Sequence, residues 1–189
     1  MKISVLCPTF NAGATLHETL QSVVRQDYQN FEIIIADGAS TDDTLQVAQH
    51  FRPFVTTIIS EPDRGQLEAI FRAAQAATGE VLFWLNADDI VMPGAFSAAI
   101  KALSAARVDY VFSDNFAFDQ TGGGLFVGAT IRGLSRKQHE LFYRQLYSET
   151  CYFKRYLLPE PDPSFYDLRV YTDYYFFLRT LQGARGQWI

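Results

Sequence analysis

Asp88 and Asp89 are adjacent carboxylates that directly follow the apolar run Val81-Leu82-Phe83-Trp84-Leu85. Two such groups side by side repel each other unless water or a cation bridges them, and oxygen ligands of this kind suit hard ions such as Mg2+ or Mn2+. The run before them reads as a strand buried on both faces, central in its sheet because Trp84 and its neighbours can hide a large apolar area. The pair then lies just past the carboxyl end of that strand, on the rim where open α/β sheets hold ligands. A second reading, an exposed helix-capping pair ahead of Pro93, stands beside the first.

The elements that must position this pair follow from periodicity. Residues 3–7 form a short apolar strand, and residues 8–13 a turn that cannot continue it past Pro8. Leu16, Leu20, Val23 and Val24 recur at helical spacing, with Thr15 and Glu18 as a capping box. Residues 31–36 form a second buried strand, closed by Asp37-Gly38-Ala39-Ser40, and Ser40 or Thr41 caps a helix carrying Leu45, Val47, Ala48 and Phe51. A third strand over residues 55–60 leads through residues 61–66 into a helix with Leu67, Ile70, Phe71 and Ala74, ending at Thr78-Gly79. Strands separated by single helices imply a mainly parallel sheet with helices on both faces. Beyond Asp89 the pattern loosens. Pro93 suits a first helical position before a helix over residues 95–106. Residues 108–118 are strand-like, residues 120–124 make a hairpin turn and residues 125–131 return, so the second half is partly antiparallel.

The length of 189 residues fits one domain with a full-sized core, and a net charge of -5 argues against a broad nucleic-acid footprint. An anionic ligand must therefore be held locally. The apolar run at the N-terminus is too short for a signal peptide and no later run reaches a membrane span, which reads as a cytoplasmic chain. Cys7 and Cys151 read as small core residues. His17, His50 and His139 receive no role. Residues 132–155 carry Arg132, Arg136, Lys137, Arg144, Lys154 and Arg155 against Glu140 and Glu149. This stretch is either a solvated helix face or a basic lip for peripheral contact with anionic lipid headgroups or a phosphate-bearing acceptor. The aromatic residues crowded between Phe142 and Phe177 read mostly as core, with some available to line a sugar subsite.

Taken together, Pro8-Thr9-Phe10-Asn11, Asp37-Gly38-Ala39-Ser40-Thr41-Asp42-Asp43-Thr44, Glu61-Pro62-Asp63-Arg64-Gly65 and Asn86-Ala87-Asp88-Asp89 resemble, in order and spacing, the loops of family 2 glycosyltransferases of the GT-A fold. The likeness is strong to about residue 93 and returns at residues 151–155 and 171–179. It implies a Rossmann-like, mainly parallel twisted sheet flanked by helices, with a smaller, partly antiparallel C-terminal part. It also implies a single domain whose residues 1–92 bind the nucleotide-sugar donor and whose residues 93–189 bind the acceptor, a glycan or lipid-linked sugar. The family often continues past a segment like the one that closes at Gln187-Trp188-Ile189.

By this resemblance Pro8, Thr9, Phe10 and Asn11 hold the nucleoside with Asp37, whose carboxylate accepts from the base, uracil being the best fit. An Asp before Gly at a strand end is placed to accept from a planar imide, or else to form a helix-capping Asx turn. Arg64, with Asp63 and Gly65 beside it, either stacks on the base or reaches a phosphate, Gly65 allowing close approach of backbone, or else forms a surface ion pair with Glu61 or Asp63. The family's usual acid-any-acid motif begins here with Asn86. In an extended strand Asn86 and Asp88 face one side and Ala87 the other, so the amide meets a ribose hydroxyl while the divalent metal, Mn2+ or Mg2+, rests on Asp88, Asp89 and the substrate diphosphate. Asp173 resembles the family's C-terminal catalytic Asp and is the expected base, on the first turn of a helix capped by Thr172. A structural helix-start carboxylate is its other reading, and Glu160, Asp162 and Asp167 are rivals. The implied activity is inverting transfer from a UDP-sugar in surface polysaccharide synthesis. The Asn86 departure motivates the alternative of a nucleotide-sugar-binding protein that does not catalyse.

Overall fold

The computed structural model describes residues 1–105, 107–117, 126–128 and 147–189. Strands β1 (Ile3–Thr9), β2 (Phe31–Asp37), β3 (Val55–Ser60) and β4 (Val81–Trp84) alternate with helices α1 (Leu16–Val24), α2 (Thr44–His50) and α3 (Gln66–Ala76). After α4 (Ala95–Ala105) come β5 (Tyr110–Phe112), β6 (Asn115–Ala117), β7 (Phe126–Gly128), β8 (Cys151–Lys154), α5 (Thr172–Thr180) and β9 (Gly186–Trp188). Seven strands form one sheet in the order β3-β2-β1-β4-β8-β5-β9, so β4 is the middle strand, as its composition predicts. β1 pairs in parallel with β2 and β4, and β2 with β3. β8 enters antiparallel to both β4 and β5, and β9 lies parallel to β5. The sheet is thus mainly parallel with a mixed second half.

Both faces are covered, which is why the strands read as unbroken apolar runs. Val5, Ile33, Ile35 and Phe83 pack against Leu16, Leu20 and Val23 of α1 and Phe96 and Leu103 of α4. Leu6, Ile34, Leu82 and Trp84 face Leu67, Ile70 and Ala74 of α3 with Phe176 and Phe177 of α5. Trp84 meets Phe176 edge-on with ring centroids 5.2 Å apart, so the end of β4 is fixed against α5, the helix that carries Asp173. Cys7 and Cys151 are buried free thiols in this core.

Several local expectations are corrected. β1 runs on through Pro8 to Thr9 in register with Ala36 and Asp37. Leu6 O accepts from Leu85 N on the β4 side. Pro8, two residues on, therefore turns its missing N–H to that same side, where the regular pairing with β4 has already ended. The Thr15/Glu18 capping box does not form, since Thr15 makes no side-chain cap bond. The entry to α1 is instead held from the neighbouring loop, Ala12 N donating to Thr44 Oγ1 at 2.7 Å and Gly13 N to Asp42 Oδ2 at 2.9 Å. α2 begins at Thr44, later than a Ser40 or Thr41 cap implies. Gly94, at φ 82°, separates Pro93 from α4, so Pro93 is a turn residue.

β6 and β7 pair antiparallel as the arms of the expected hairpin, whose turn at residues 120–124 lies outside the described residues. Arg132, Arg136, Lys137, His139 and Arg144 also lie outside them. Of the basic stretch, Arg155 serves the interior, where its guanidinium donates to Ala77 O and, at 3.2 Å, to Ala74 O, closing the C-terminal end of α3. Among the described residues no helix is long and apolar enough to cross a membrane.

Candidate active site

The loops that leave β1, β2, β3 and β4 at their carboxyl ends meet at one rim. The β1–β2 register sets Thr9 beside Asp37, and Thr9 Oγ1 donates to Asp37 Oδ1 at 3.0 Å. Asp37 is buried and takes three further bonds: Ser40 Oγ at 2.5 Å, Ser40 N at 3.0 Å and Ser60 Oγ at 2.7 Å. The Asx-turn geometry expected of Asp37 is therefore present, although it shapes the loop and caps no helix. Gly38 lies against Asp63, because a Cβ there would come within 2.8 Å of Asp63 Oδ2. Burial raises the Asp63 pKa, with the nearby Asp37 charge adding to the shift. Phe10 is 66% exposed at the tip of β1, and Asn11, at φ 49°, ties the first two loops together by accepting from Thr41 N at 2.9 Å.

Arg64 pairs with Asp167 instead of Glu61 or Asp63, its Nη2 lying 2.5 Å from Asp167 Oδ2, and its guanidinium sits 5.8 Å from the Tyr166 ring centre. Gly65 adopts φ 139°, and the space a side chain would occupy holds the Arg169 guanidinium and Tyr166 O. Arg169 Nη1 donates to Arg64 O at 2.8 Å. The 163–169 segment thus braces the Asp63-Arg64-Gly65 loop, and the close approach that Gly65 permits is to this segment.

β4 ends at Trp84, and residues 86–89 form a turn in which Asp89 N donates to Asn86 O at 3.2 Å. The expectation that Asn86 and Asp88 share a side as in a strand is corrected by this turn, which brings Asn86 to Asp89. Asn86 Nδ2 donates to Asp89 Oδ2 at 3.1 Å and to Ser148 Oγ at 3.0 Å. Its Oδ1 accepts from Trp84 Nε1 at 2.6 Å and Gln66 Nε2 at 2.8 Å. Ala87 is buried and Asp88 exposed.

Asp173 stands on the first turn of α5 and accepts from Ser148 N at 3.0 Å. The residue before that helix is Tyr171, at φ 58°, so the Thr172 cap is not formed and Thr172 is the first helical residue. Burial pushes the Asp173 carboxyl above the usual carboxylate range. Burial, then the charges of Glu149 and Asp88, push Asp89 up to about 7. Glu149 is raised as well, first by burial. The rivals for the base behave differently: Asp162 bonds Ser164 and pairs with Arg179, Asp167 pairs with Arg64, and both carboxyls are lowered by those bonds.

Ser148 and Glu149 are site residues that sequence reasoning missed. Glu149 entered only as a charge in the basic stretch, and the one signal for either was their position just ahead of the aromatic strand segment Cys151-Tyr152-Phe153. Among the described residues no three His, Cys, Asp or Glu are grouped to hold a metal ion by themselves. Asp88 and Asp89 nevertheless fit one that is completed by a ligand. They supply hard oxygen donors, and a bound cation relieves the carboxylate repulsion that adds to the effect of burial on Asp89.

A central parallel sheet, with acidic loop ends on the rim of β2 to β4 and an inserted antiparallel strand, is the architecture of GT-A glycosyltransferases. The chain belongs to the family described as Glycosyl transferase family 2, which matches residues 4–156. It is 30% identical over 182 residues to the PGL/p-HBAD biosynthesis glycosyltransferase of Mycobacterium bovis, covering 93% of this chain and 68% of that protein. Its fold is similar to that of S. aureus TarS 1-349 in complex with UDP, with a TM-score of 0.76 and 21% identity over all of this chain and 58% of the other. Glucosyl-3-phosphoglycerate synthase from Mycobacterium tuberculosis, in complex with Mn2+, UDP and phosphoglyceric acid, is similar with a TM-score of 0.65 and 21% identity, covering 99% of this chain and 68% of that one. The chain spans little more than half of the TarS structure. Asp173 lies beyond the range matched to the family, so its place rests on the geometry above.

Proposed function

We propose that this chain transfers a sugar, with inversion, from a nucleoside diphosphate sugar, UDP being the favoured nucleotide, to a hydroxyl of a glycan or lipid-linked acceptor. The observation that carries this reading is one rim holding Asp37, Asp63, Asp88 and Asp89, with Asp173 brought to it through Ser148 and Asn86. Pro8, Thr9, Phe10, Asn11, Asp37, Asp63, Arg64 and Gly65 form the donor side. Asp37 accepts the uracil imide proton in place of one of its three hydroxyl donors, since a carboxylate has about four acceptor positions and all are in use. Arg64 reaches the donor by exchanging its partner Asp167, with which it forms an exposed, solvent-screened surface pair.

Asp88 and Asp89 hold a divalent cation, Mn2+ or Mg2+, together with the diphosphate. When bound, the cation stabilises negative charge on the departing diphosphate as a Lewis acid. Support comes from the mycobacterial synthase bound to Mn2+ and UDP. Asp173 takes the acceptor proton. As the acceptor oxygen forms its bond to the anomeric carbon, the bond from that carbon to the diphosphate oxygen breaks, and its electron pair leaves with the diphosphate. Burial raises the Asp173 carboxyl while hydrogen bonds and ion pairs lower Asp162 and Asp167, which makes Asp173 a stronger base than either.

Residues 1–92 serve as the donor half and 93–189 as the acceptor half. The enzyme works in the cytoplasm, touching the inner face of the membrane through residues 132–155 when the acceptor is lipid-linked. A thermal-shift panel of UDP, GDP, dTDP and CMP, with and without Mn2+, tests the donor assignment. UDP should stabilise the protein only with the cation, and replacing Asp88 and Asp89 together by Ala should abolish the effect. Equal stabilisation by every nucleotide without metal would remove it. The non-catalytic reading is separated by turnover: release of UDP from a UDP-sugar by the intact chain, lost in Asp173→Asn, excludes a pure binding protein.

A further inference from the structure

The carboxamide of Asn86 has partners that fix which of its atoms is which. An indole N–H can only donate, and a carboxylate facing an amide accepts. Oδ1 must therefore face Trp84 Nε1, at 2.6 Å, and Nδ2 must face Asp89 Oδ2, at 3.1 Å. The remaining two bonds, from Gln66 Nε2 to Oδ1 and from Nδ2 to Ser148 Oγ, complete the capacity of the group. Four segments meet there: the end of β4, the first residue of α3, the 148–150 turn of 3-10 helix and, through Ser148 N, the start of α5.

Building on the glycosyl-transfer reading above, we propose that Asn86 is a positioning residue that sets the Asp88-Asp89 pair against Asp173 through Ser148, and does not itself ligate the cation. Ser148 is completely buried, so its two links cannot be replaced by bulk water without opening the core. The chemistry requires an amide. A carboxylate at position 86 can still accept from Trp84, Gln66 and the Ser148 hydroxyl, but it has no proton for Asp89 and adds a negative charge beside an already crowded pair. Asn86→Asp, which restores the acid the family commonly has at this position, should therefore harm the enzyme.

The test compares wild type, Asn86→Asp, Asn86→Ala, Ser148→Ala and the Asn86→Ala/Ser148→Ala double variant. Release of UDP from UDP-glucose and UDP-N-acetylglucosamine with Mn2+ gives turnover, calorimetry gives UDP affinity, and the Ser148 main-chain amide is followed by NMR hydrogen exchange. Asn86→Asp should lower kcat about 100-fold, the cost of misplacing catalytic groups by roughly 1 Å, while changing UDP affinity no more than about threefold. The double variant should lose no more than Asn86→Ala alone, because the two residues act as one link. Ser148 amide exchange should accelerate in Asn86→Ala. Wild-type or higher turnover in Asn86→Asp overturns the proposal, as does unchanged Ser148 exchange in Asn86→Ala. If wild type binds no UDP with Mn2+, the donor assignment is at fault, and the Ser148 amide still decides the positioning role.

Discussion

Glu32 lies at the opposite end of the sheet from the candidate active site, and its replacement should separate folding from function. The side chain is 3% exposed near the amino end of β2. It accepts from Lys2 Nζ at 2.6 Å, Ser4 Oγ at 2.6 Å, Thr78 N at 2.6 Å and Gly79 N at 3.1 Å. Burial alone would raise its pKa, but the bonds from Lys2, Ser4 and Thr78 outweigh it and hold the carboxyl at about 2. A folded-state pKa below the unfolded value of about 4.5 means stability that is fully present above that value and lost as pH falls toward the folded one. At about 1.4 kcal/mol per pH unit, the shift corresponds to roughly 3 kcal/mol near neutral pH. Glu32→Gln keeps an acceptor for Ser4 and Thr78 but turns an NH2 or a neutral oxygen to Lys2. Urea denaturation near pH 7 should show a loss of about 3 kcal/mol, or roughly 10 °C in melting temperature for a domain of this size. Between about pH 7 and pH 3.5 the difference between the two proteins should shrink by roughly 1 kcal/mol, because the unfolded chain takes up the proton first. UDP binding by the folded variant should be unchanged. A difference that is negligible near pH 7, or that grows on acidification, would refute the assignment of this carboxylate as the anchor of the β1–β2–β4 amino ends.

Other outcomes follow from single side chains. Tyr152 stacks on Phe83 with ring centroids 4.2 Å apart, and its buried hydroxyl has no hydrogen-bond partner among the described residues. Tyr152→Phe should leave stability unchanged or raise it by about 1 kcal/mol, and a clear drop in melting temperature would reveal a partner. Asp173→Asn should reduce kcat by about 1,000-fold with UDP affinity preserved; a loss of affinity without loss of kcat would move Asp173 to the donor side. Because Asp173 must be ionised to accept a proton and burial raises its pKa, the acid limb of the kcat profile should fall at higher pH than an ordinary aspartate gives. Gly65→Ala places a Cβ within 2.7 Å of Tyr166 O at a φ of 139°, and should cost about 2 kcal/mol and loosen the Arg169 brace, read as faster proteolysis of the 163–169 segment.

The first half of the fold was legible because its signals are local. Val81 to Trp84 had to be central, since only burial on both faces accommodates four consecutive large apolar residues, and the alternation of strands and helices up to residue 76 follows from periodicity. Asp37, Asp63, Asp88 and Asp89 were legible as strand-end residues. What escaped depends on contacts far apart in sequence. β8 enters between β4 and β5 from residues 151–154, and nothing local to Cys151-Tyr152-Phe153 says which strands it joins. Ser148 and Glu149 reach the site only through that insertion. The geometry at Asn86 escaped for a local reason: the chain turns directly after Trp84 instead of continuing as an extended strand, which brings the Asn86 amide to Asp89. The cap of α1 escaped for a similar reason, since Asp42 and Thr44 of the next loop take the place of Thr15.

The central claim is that the rim beyond β4 shares a divalent cation with the diphosphate of an activated sugar. Anomalous scattering at the manganese edge from crystals grown with UDP and Mn2+ measures it directly. The account predicts one strong peak bridging the Asp88-Asp89 pair and the diphosphate, with the uracil ring beside Thr9 and Asp37. Nucleotide bound away from this rim, or ordered UDP with no manganese between it and the two carboxylates, would contradict it.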